Sequence, residues 1–142
     1  MWLVRHAAVV VDPATPSHTW TLSDAGREAA RALSLPVGHA LTSPEPKATE
    51  TAALARLDAV VDERLREVGR PWSDDYPSQV RRYLGGEELE GWEARSDALD
   101  RLHAALDGFD GVAVSHGLAI SLYAGLSFDE WRVLPFPAVV EC

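Results

Sequence analysis

Cysteine is almost absent from this sequence, and long apolar runs are absent altogether. Cys142 is the single cysteine among 142 residues, so no disulfide can form within the chain. No Cys and His residues have the spacing of a metal site, and we expect neither a metal nor a cofactor. No apolar stretch approaches the roughly 20 residues that a membrane helix needs. One free cysteine fits a reducing compartment, and we expect a cytoplasmic protein.

Basic residues are in the minority. The chain has 13 Lys and Arg against 22 Asp and Glu, and its formal net charge is −9. This balance argues against binding to nucleic acid and against adhesion to an anionic membrane. A local cluster of Arg and His can still bind phosphate inside an acidic protein. The first residues lack a basic segment followed by a long apolar stretch, so we expect no signal peptide.

Two common nucleotide and hydrolase motifs are also missing. The chain contains neither a Gly-x-Ser-x-Gly elbow nor a Gly-x-x-x-x-Gly-Lys-Ser/Thr loop. What remains is an ordinary globular composition, 46% hydrophobic and 25% charged, without repeats. The length suits a single domain over residues 1–142, which should bury roughly 68–70% of the surface of its unfolded chain.

Apolar runs typical of strands alternate with segments typical of helices. Strands are predicted at 2–4, which 7–11 could extend, and at 39–42, 59–61, 111–114 and, as an edge, 139–140. Helices are predicted at 25–33, 44–57, 78–83, 92–106, 118–123 and 128–133. This alternation predicts an α/β fold, a three-layer α/β/α sandwich around a mostly parallel sheet.

Two helix starts have clear capping signals. Ser23 or Asp24 can accept a hydrogen bond from a free N–H group of the first turn. Ser43 as N-cap, followed by Pro44 at the first helical position, predicts a helix that starts directly after the second strand. The N–H groups of that helix would then point at any ligand beyond the strand ends.

Polar residues follow three of the predicted strands. Arg5 and His6 end the first strand, Ser43 follows the second, and the run 115–117, which contains His116, follows the fourth. Ligands of parallel α/β sheets lie beyond the carboxyl ends of the strands, so we expect these residues in one crevice. A histidine is partly neutral at pH 7 and can act as a nucleophile, while the planar fork of an arginine matches two phosphate oxygens.

Five segments resemble, in order, the motifs of the histidine phosphatase superfamily, also called the phosphoglycerate mutase-like superfamily. They are Leu-Val-Arg-His-Ala at 3–7, Leu-Ser-Asp-Ala-Gly-Arg-Glu-Ala-Ala at 22–30, Thr-Ser-Pro-Glu-Pro-Lys-Ala-Thr-Glu-Thr-Ala at 42–52, Asp-Glu-Arg-Leu-Arg-Glu-Val-Gly at 62–69 and Val-Ser-His-Gly at 114–117. Each motif is weak alone, but the order and the span from residue 3 to residue 117 make the set specific.

The resemblance implies a role for five side chains. His6 would be the nucleophile that becomes phosphorylated, and Arg5 would bind the phosphoryl oxygens. His116 would be a second histidine of the phosphate pocket, and Glu67 would donate the proton to the leaving group. Lys47 stands where the family usually has a second phosphate-binding arginine, and lysine keeps the charge but loses the bidentate fork.

The activity implied by the resemblance is that of a metal-independent phosphatase, a phosphoric monoester hydrolase that works through a phosphohistidine on His6. Its partner would be a small phosphorylated substrate, bound with help from the N–H groups at Ser43. Three alternatives stay open: a protein phosphohistidine phosphatase, a non-catalytic phosphate-binding module, which Lys47 keeps open, and a phosphoglycerate mutase, a class that generally has longer chains. Exposed tryptophans are compatible with a homodimer.

The segment that would cover the site has no interpretable pattern. It spans residues 69–91, and one of Arg70, Arg81 and Arg82 is a candidate for substrate contact. His18, in the Pro-rich loop after the first strand, is a further candidate for lining the pocket. Three tryptophans are interpreted as packing of the core or of a lid, namely Trp72, Trp92 and Trp131.

Overall fold

Five short strands and six helices follow one another along the chain in the computed structural model, which describes residues 1–142. The strands are β1 (Trp2–Arg5), β2 (Ala40–Thr42), β3 (Ala59–Val61), β4 (Val112–Ser115) and β5 (Ala138–Glu141). The helices are α1 (Asp24–Arg31), α2 (Pro46–Leu54), α3 (Tyr76–Leu84), α4 (Arg95–Leu106), α5 (Gly117–Ala124) and α6 (Phe128–Val133). Short 3₁₀ turns lie at Ser17–Thr19 and Glu63–Leu65. No helix combines the length and the apolar character needed to cross a bilayer.

The strands form one mostly parallel sheet in the order β3-β2-β4-β1-β5. Neighbouring strands run parallel except β5, which pairs antiparallel with β1 at the edge. The predicted α/β fold with a mostly parallel sheet is therefore confirmed. The edge position of β5 also agrees with the prediction, because Pro135 and Pro137 just before it lack the N–H groups that a central strand needs.

Alternate residues of the strands face two different helical layers. Val4, Val112 and Val114 pack with Ala48 and Ala52 of α2. The intervening residues Leu3 and Ala113 belong to a larger cluster of 16 buried residues on the other face, built with α3 to α6. Successive side chains of a strand point to opposite faces, so this alternation is the signature of a sheet covered on both sides.

Helix α2 begins later than the sequence predicts. Ser43 is not its N-cap, and Pro44 is not its first residue: the helix starts at Pro46, and Glu45 is the N-cap residue. A residue before proline is driven out of the helical region, and Glu45, which precedes Pro46, is extended with φ −68° and ψ 137°. The second proline of the motif therefore sets the start of the helix. Its end at Leu54 also precedes the predicted end at residue 57.

Residues 7–11 do not extend β1 as a strand. The backbone N–H of Ala7 donates to the Thr51 hydroxyl at 3.0 Å, which takes the chain away from the sheet. Beyond this point Val9 forms only an isolated antiparallel bridge with Leu22. The turn of the chain after β1 leaves the end of the strand open to the crevice.

The predicted helix over 92–106 begins only at Arg95, because the residues before it are used elsewhere. The Glu93 N–H donates to the Gly69 carbonyl at 2.7 Å, and its carboxylate pairs with Arg101 at 2.7 Å. These contacts keep the segment out of the helix while Trp92 packs into the larger core. Helix α1 follows the prediction closely, since the Ser23 hydroxyl accepts from the Gly26 N–H at 3.0 Å.

Candidate active site

The carboxyl ends of β1, β2 and β4 lie side by side in the middle of the sheet. Arg5 is paired in register with Ser115, and Thr42 is paired with Val114. The residues that directly follow these strands, His6, Ser43 and His116, therefore meet beyond one edge of the sheet. All of these side chains are buried.

His6 is held in one tautomer by its own chain. Its Nδ1 lies 2.8 Å from the Ala7 carbonyl oxygen, which can only accept, so Nδ1 carries the hydrogen and Nε2 carries the lone pair. The side chain is 6% exposed. Burial, together with the nearby charges of His116, Lys47 and Arg5, lowers the pKa of His6 to about 3. The imidazole is therefore neutral, with its lone pair available, across the physiological pH range.

Arg5 is a buried cation packed beside His6. Its Nη1 donates to the Leu134 carbonyl at 2.7 Å, and its guanidinium lies 3.4 Å from the centre of the Phe136 ring. Burial lowers the pKa of Arg5 to about 10, opposed by the negative charge of Glu67, so the group stays protonated. Its Nε has no partner. A Cβ at Gly117 would lie 2.8 Å from the guanidinium carbon, so a larger residue there would displace the Arg5 side chain.

His116 is fully buried, at 0% exposure, next to His6. The two ring centres are 5.2 Å apart. Nε2 of His116 lies 2.9 Å from Oε2 of Glu45 and 2.8 Å from the Ser43 hydroxyl. The carboxylate accepts, so Nε2 carries a hydrogen. Nδ1 has no hydrogen-bond partner, which is unusual for a buried ring nitrogen.

Glu45 is a buried carboxylate that the sequence analysis missed. It links three parts of the site: His116, Lys47, whose Nζ lies 3.4 Å from Oε1, and Glu67, whose backbone N–H donates to Oε2 at 2.8 Å. Burial raises the pKa of Glu45, but the hydrogen bond and charge of His116 and the charge of Lys47 outweigh it, and the value falls to about 2. The available signal was a charged residue between Pro44 and Pro46 inside a recognised motif.

Lys47 and Thr51 connect α2 to the rest of the site. The ammonium of Lys47 is buried and donates to the Ser17 carbonyl at 2.8 Å, which ties down the loop after β1. The Thr51 hydroxyl donates to the Lys47 carbonyl at 2.7 Å and accepts from the Ala7 N–H. Thr51 thus fixes the backbone directly after His6, a role that the sequence analysis did not assign.

Glu67 sits at the N-terminus of α5. Its Oε1 accepts from the N–H groups of Val68 and Ala119, both at 2.9 Å, and Oε2 accepts from Leu118 at 3.2 Å. A carboxylate is electrostatically favoured at the positive end of a helix. Glu67 is half-buried, and these hydrogen bonds hold its side chain at the same cavity that His6 lines.

Several of these side chains line a small cavity of about 170 Å³. Its polar lining includes Arg5, His6, Lys47 and Glu67. Ser43 and His116 are not part of its lining, and both are fully buried. The cavity thus combines a neutral imidazole, two cations and a carboxyl group, the kinds of group that bind and attack a phosphoryl centre. No group of three or more His, Cys, Asp or Glu is close enough to hold a metal ion.

The other residues predicted near the site divide into two sets. Arg70 lines the small cavity, and His18 lines a larger cavity next to it. Arg81 instead lies over the Phe128 ring at 4.3 Å, and Arg82 pairs with Glu87 at 2.8 Å, both away from the cavity. Neither Arg81 nor Arg82 is therefore placed to contact a substrate.

Several solved structures share the fold of this chain. The chain aligns with TTHB049 from Thermus thermophilus at 25% identity and a TM-score of 0.69, covering 85% of this chain and 80% of that one. A phosphoglycerate mutase from the same organism aligns at 24% identity and a TM-score of 0.67, covering 85% and 80%. A mycobacterial glucosyl-3-phosphoglycerate phosphatase, Rv2419c, aligns at 20% and 0.61, covering 96% and 84%. No protein-family model and no curated protein matches the chain.

These neighbours show the fold of the protein. It is shared, over most of each chain, with TTHB049, with a phosphoglycerate mutase and with a phosphatase. The predicted phosphoglycerate mutase-like fold is therefore confirmed, and the predicted resemblance to the histidine phosphatase superfamily agrees with these neighbours.

Proposed function

We propose that this protein is a phosphatase that hydrolyses phosphomonoesters through a phosphohistidine on His6. The observation that carries the proposal is the hydrogen bond from Nδ1 of His6 to the Ala7 carbonyl. It leaves Nε2 with the lone pair in a cavity that also holds Arg5 and Lys47. A neutral imidazole between two cations is suited to attack a phosphate group, since the cations offset the charge of the phosphoryl oxygens.

In the first step Nε2 of His6 attacks phosphorus, and the bond between phosphorus and the ester oxygen breaks. The developing negative charge on the phosphoryl oxygens is stabilised by Arg5 and Lys47, which line the cavity together with His6. Glu67, in its protonated form, transfers a proton to the leaving oxygen, a contribution of about 10²–10⁴ in rate. The phosphorylated imidazole is cationic, and the Ala7 carbonyl stabilises its Nδ1–H.

In the second step water attacks the phosphohistidine. Glu67, now a carboxylate, takes a proton from the water while the oxygen bonds to phosphorus. The bond between phosphorus and Nε2 breaks, and its electron pair returns to His6. Inorganic phosphate leaves, and Glu67 and His6 are back in their starting forms, with no step that calls for a metal ion.

Trapping the covalent intermediate tests this proposal directly. Acid-labile phosphate should appear on the wild-type protein after rapid mixing with an aryl phosphate, and His6→Ala should carry none and show no turnover. His39→Ala is the matched control, because His39 is an exposed histidine outside the cavity. Full turnover by His6→Ala, or the absence of any phosphoenzyme from an active wild-type protein, would refute the mechanism, and a protein that binds phosphate without turnover would be a non-catalytic module.

A second candidate activity is the hydrolysis of phosphohistidine on another protein. It is favoured by the observation that both Glu67 oxygens already accept backbone N–H groups, which leaves less capacity for proton donation. A phosphoramidate has a different leaving group, and it depends less on that proton. Glu67→Gln should then slow the hydrolysis of phosphate esters and leave phosphohistidine hydrolysis unchanged. Equal losses on both substrates would favour the phosphomonoesterase.

A further inference from the structure

A second cavity lies next to the small one that His6 lines. Its volume is about 610 Å³, against about 170 Å³ for the small cavity. Five residues line both cavities: Val11, Ser17, Trp20, Arg70 and Tyr76. Pockets for small organic ligands typically measure about 300–1,000 Å³, so the small cavity suits a phosphoryl group and the larger one suits the remainder of a substrate.

Three aromatic side chains, Trp20, Trp72 and Tyr76, line the larger cavity, which we name the aromatic cleft. Trp20 and Trp72 meet edge to face with their ring centres 6.1 Å apart. Trp72 is 59% exposed, so it serves the cleft and not the core, unlike Trp92 and Trp131. An indole kept in contact with water next to a reaction cavity offers a flat apolar surface for a ligand.

The lining of the aromatic cleft contains no acidic side chain, although the protein is acidic, with a net charge of −9. Its charged or titratable lining includes Arg70 and His18. The Arg70 guanidinium lies 4.1 Å from the centre of the Tyr76 ring, at the junction of the two cavities. An anionic ester can therefore enter without repulsion from the lining.

We infer that the preferred substrate is a phosphomonoester whose leaving group carries a flat, apolar or aromatic ring, bound in the aromatic cleft against Trp72 and Trp20. The inference rests on the proposed phosphatase function, since it takes the phosphoryl group to lie beside His6. It assigns recognition of the leaving group to the loop after β1 and to the segment 70–76. A small, fully polar leaving group such as a glycerate leaves the aromatic surfaces in water and gains nothing from them.

Two pairs of probes separate this inference from the phosphatase function. 3-Phenylpropyl phosphate and propyl phosphate both release a primary alcohol, so their chemistry is matched and only the ring differs. The two corresponding phosphonates cannot be hydrolysed, and isothermal titration calorimetry measures their binding in the wild type and in every variant. Wild-type protein should hydrolyse the phenylpropyl ester with a kcat/KM roughly tenfold above that of the propyl ester, and it should bind the phenylpropylphosphonate more tightly by a similar factor.

Trp72→Ala tests the cleft without touching the cavity of His6, because Trp72 does not line that cavity. The variant should lose most of the preference for the ring, measured as the ratio of kcat/KM on the two esters. Trp72→Phe should restore much of the preference, and Val60→Ala, which changes another exposed residue, should alter neither ester. Since Trp72 is exposed, these variants should fold as the wild type does.

The outcomes distinguish the inferred preference for a ring from the proposed phosphatase function. Equal rates on both esters, or a uniform loss in Trp72→Ala, would overturn the inference and leave the phosphatase standing. No turnover but tight, Trp72-dependent binding of the phenylpropylphosphonate would overturn the phosphatase and support the cleft as a ring-binding site. Equal binding of the two phosphonates by the wild type would overturn the inference whether or not the protein is an enzyme.

Discussion

The floor and the cover of the active site are built in opposite ways. The floor consists of Arg5, His6, Glu45, Lys47 and His116, which are all buried and joined to one another or to the backbone by hydrogen bonds. The cover consists of the segments 11–20 and 70–76, which are rich in proline and tryptophan and largely exposed. Charges fixed in a buried floor need no reorganisation during a reaction, whereas an exposed cover can differ between relatives without disturbing the fold.

The two regions are linked at Lys47. Its ammonium pairs with Glu45 in the floor and donates to the Ser17 carbonyl in the cover. The difference between the regions suggests a division of labour in which the floor determines the reaction and the cover determines the substrate. Four changes test that division, from the largest expected effect to the smallest.

Replacing Arg5 by lysine should cause the largest loss. Arg5→Lys keeps the charge but removes the planar fork and the stacking on Phe136, and kcat/KM for an aryl phosphate should fall about 10²- to 10³-fold. Arg31→Lys is the control. Arg31 is exposed and pairs with Glu28 on the surface, so this change should alter the rate by less than about twofold. Comparable losses on 3-phenylpropyl and propyl phosphate are expected, because the floor acts on every substrate. A loss confined to one of the two esters would show that Arg5 contributes to substrate selection and not only to the reaction.

Removing the charge of Glu45 should destabilise the protein. Glu45→Gln leaves Lys47 buried without its carboxylate, which costs about 3 kcal/mol in the free energy of unfolding. Urea unfolding at neutral pH measures the change. Glu50→Gln is the matched control: its partner Arg27 is partly exposed to solvent, and the loss should be clearly smaller. If both variants lose the same amount, the floor is not the preorganised buried network described above.

The free energy of unfolding should fall as the pH drops below about 6.5. In this range His6 binds a proton in the unfolded chain but stays neutral in the folded chain. The folded pKa is about 3 against an ordinary value of 6.5, so the unfolded state holds more protons throughout this window. The slope should approach about 1.4 kcal/mol per pH unit at its steepest. Glu45, whose pKa falls from 4.5 to about 2, adds a second loss in the same direction below pH 4.5.

Urea unfolding at about pH 6 and about pH 5 tests this slope. His6→Gln should flatten the change between the two pH values, and the exposed His39→Gln should keep it. A His6→Gln protein with the wild-type slope would show that another group causes the dependence.

The smallest effect is expected at the link between the two regions. Lys47→Met should raise KM roughly tenfold and free the loop 11–20, which limited proteolysis detects as faster cleavage there. Lys47→Arg, which keeps the charge, should retain a KM within about threefold of the wild type. An unchanged cleavage pattern in Lys47→Met would show that floor and cover are independent.

Local signals in the sequence predicted the strand order at the edge, the start of one helix and part of the floor of the site, but not the role of Ser43. Pro135 and Pro137 placed β5 at the edge, and Ser23 marked the start of α1, because both effects act within a few residues. The polar residues after the strands identified Arg5, His6 and His116 as neighbours, since parallel strands end at the same edge. Ser43 was expected to cap a helix, but its hydroxyl instead contacts His116 across the sheet.

Sequence alone determined which strand ends would meet and which residues would stand on them, because hydrophobic periodicity and proline act locally and parallel sheets align their ends. Only the tertiary structure decided which partners those residues have. Glu45 became part of the site because it meets Lys47 on its own segment and His116 from a distant one. The aromatic cleft likewise exists because two loops that are distant in sequence bring Trp20 and Trp72 together. Such contacts leave no periodic trace in the chain, since each depends on how separate elements pack in space.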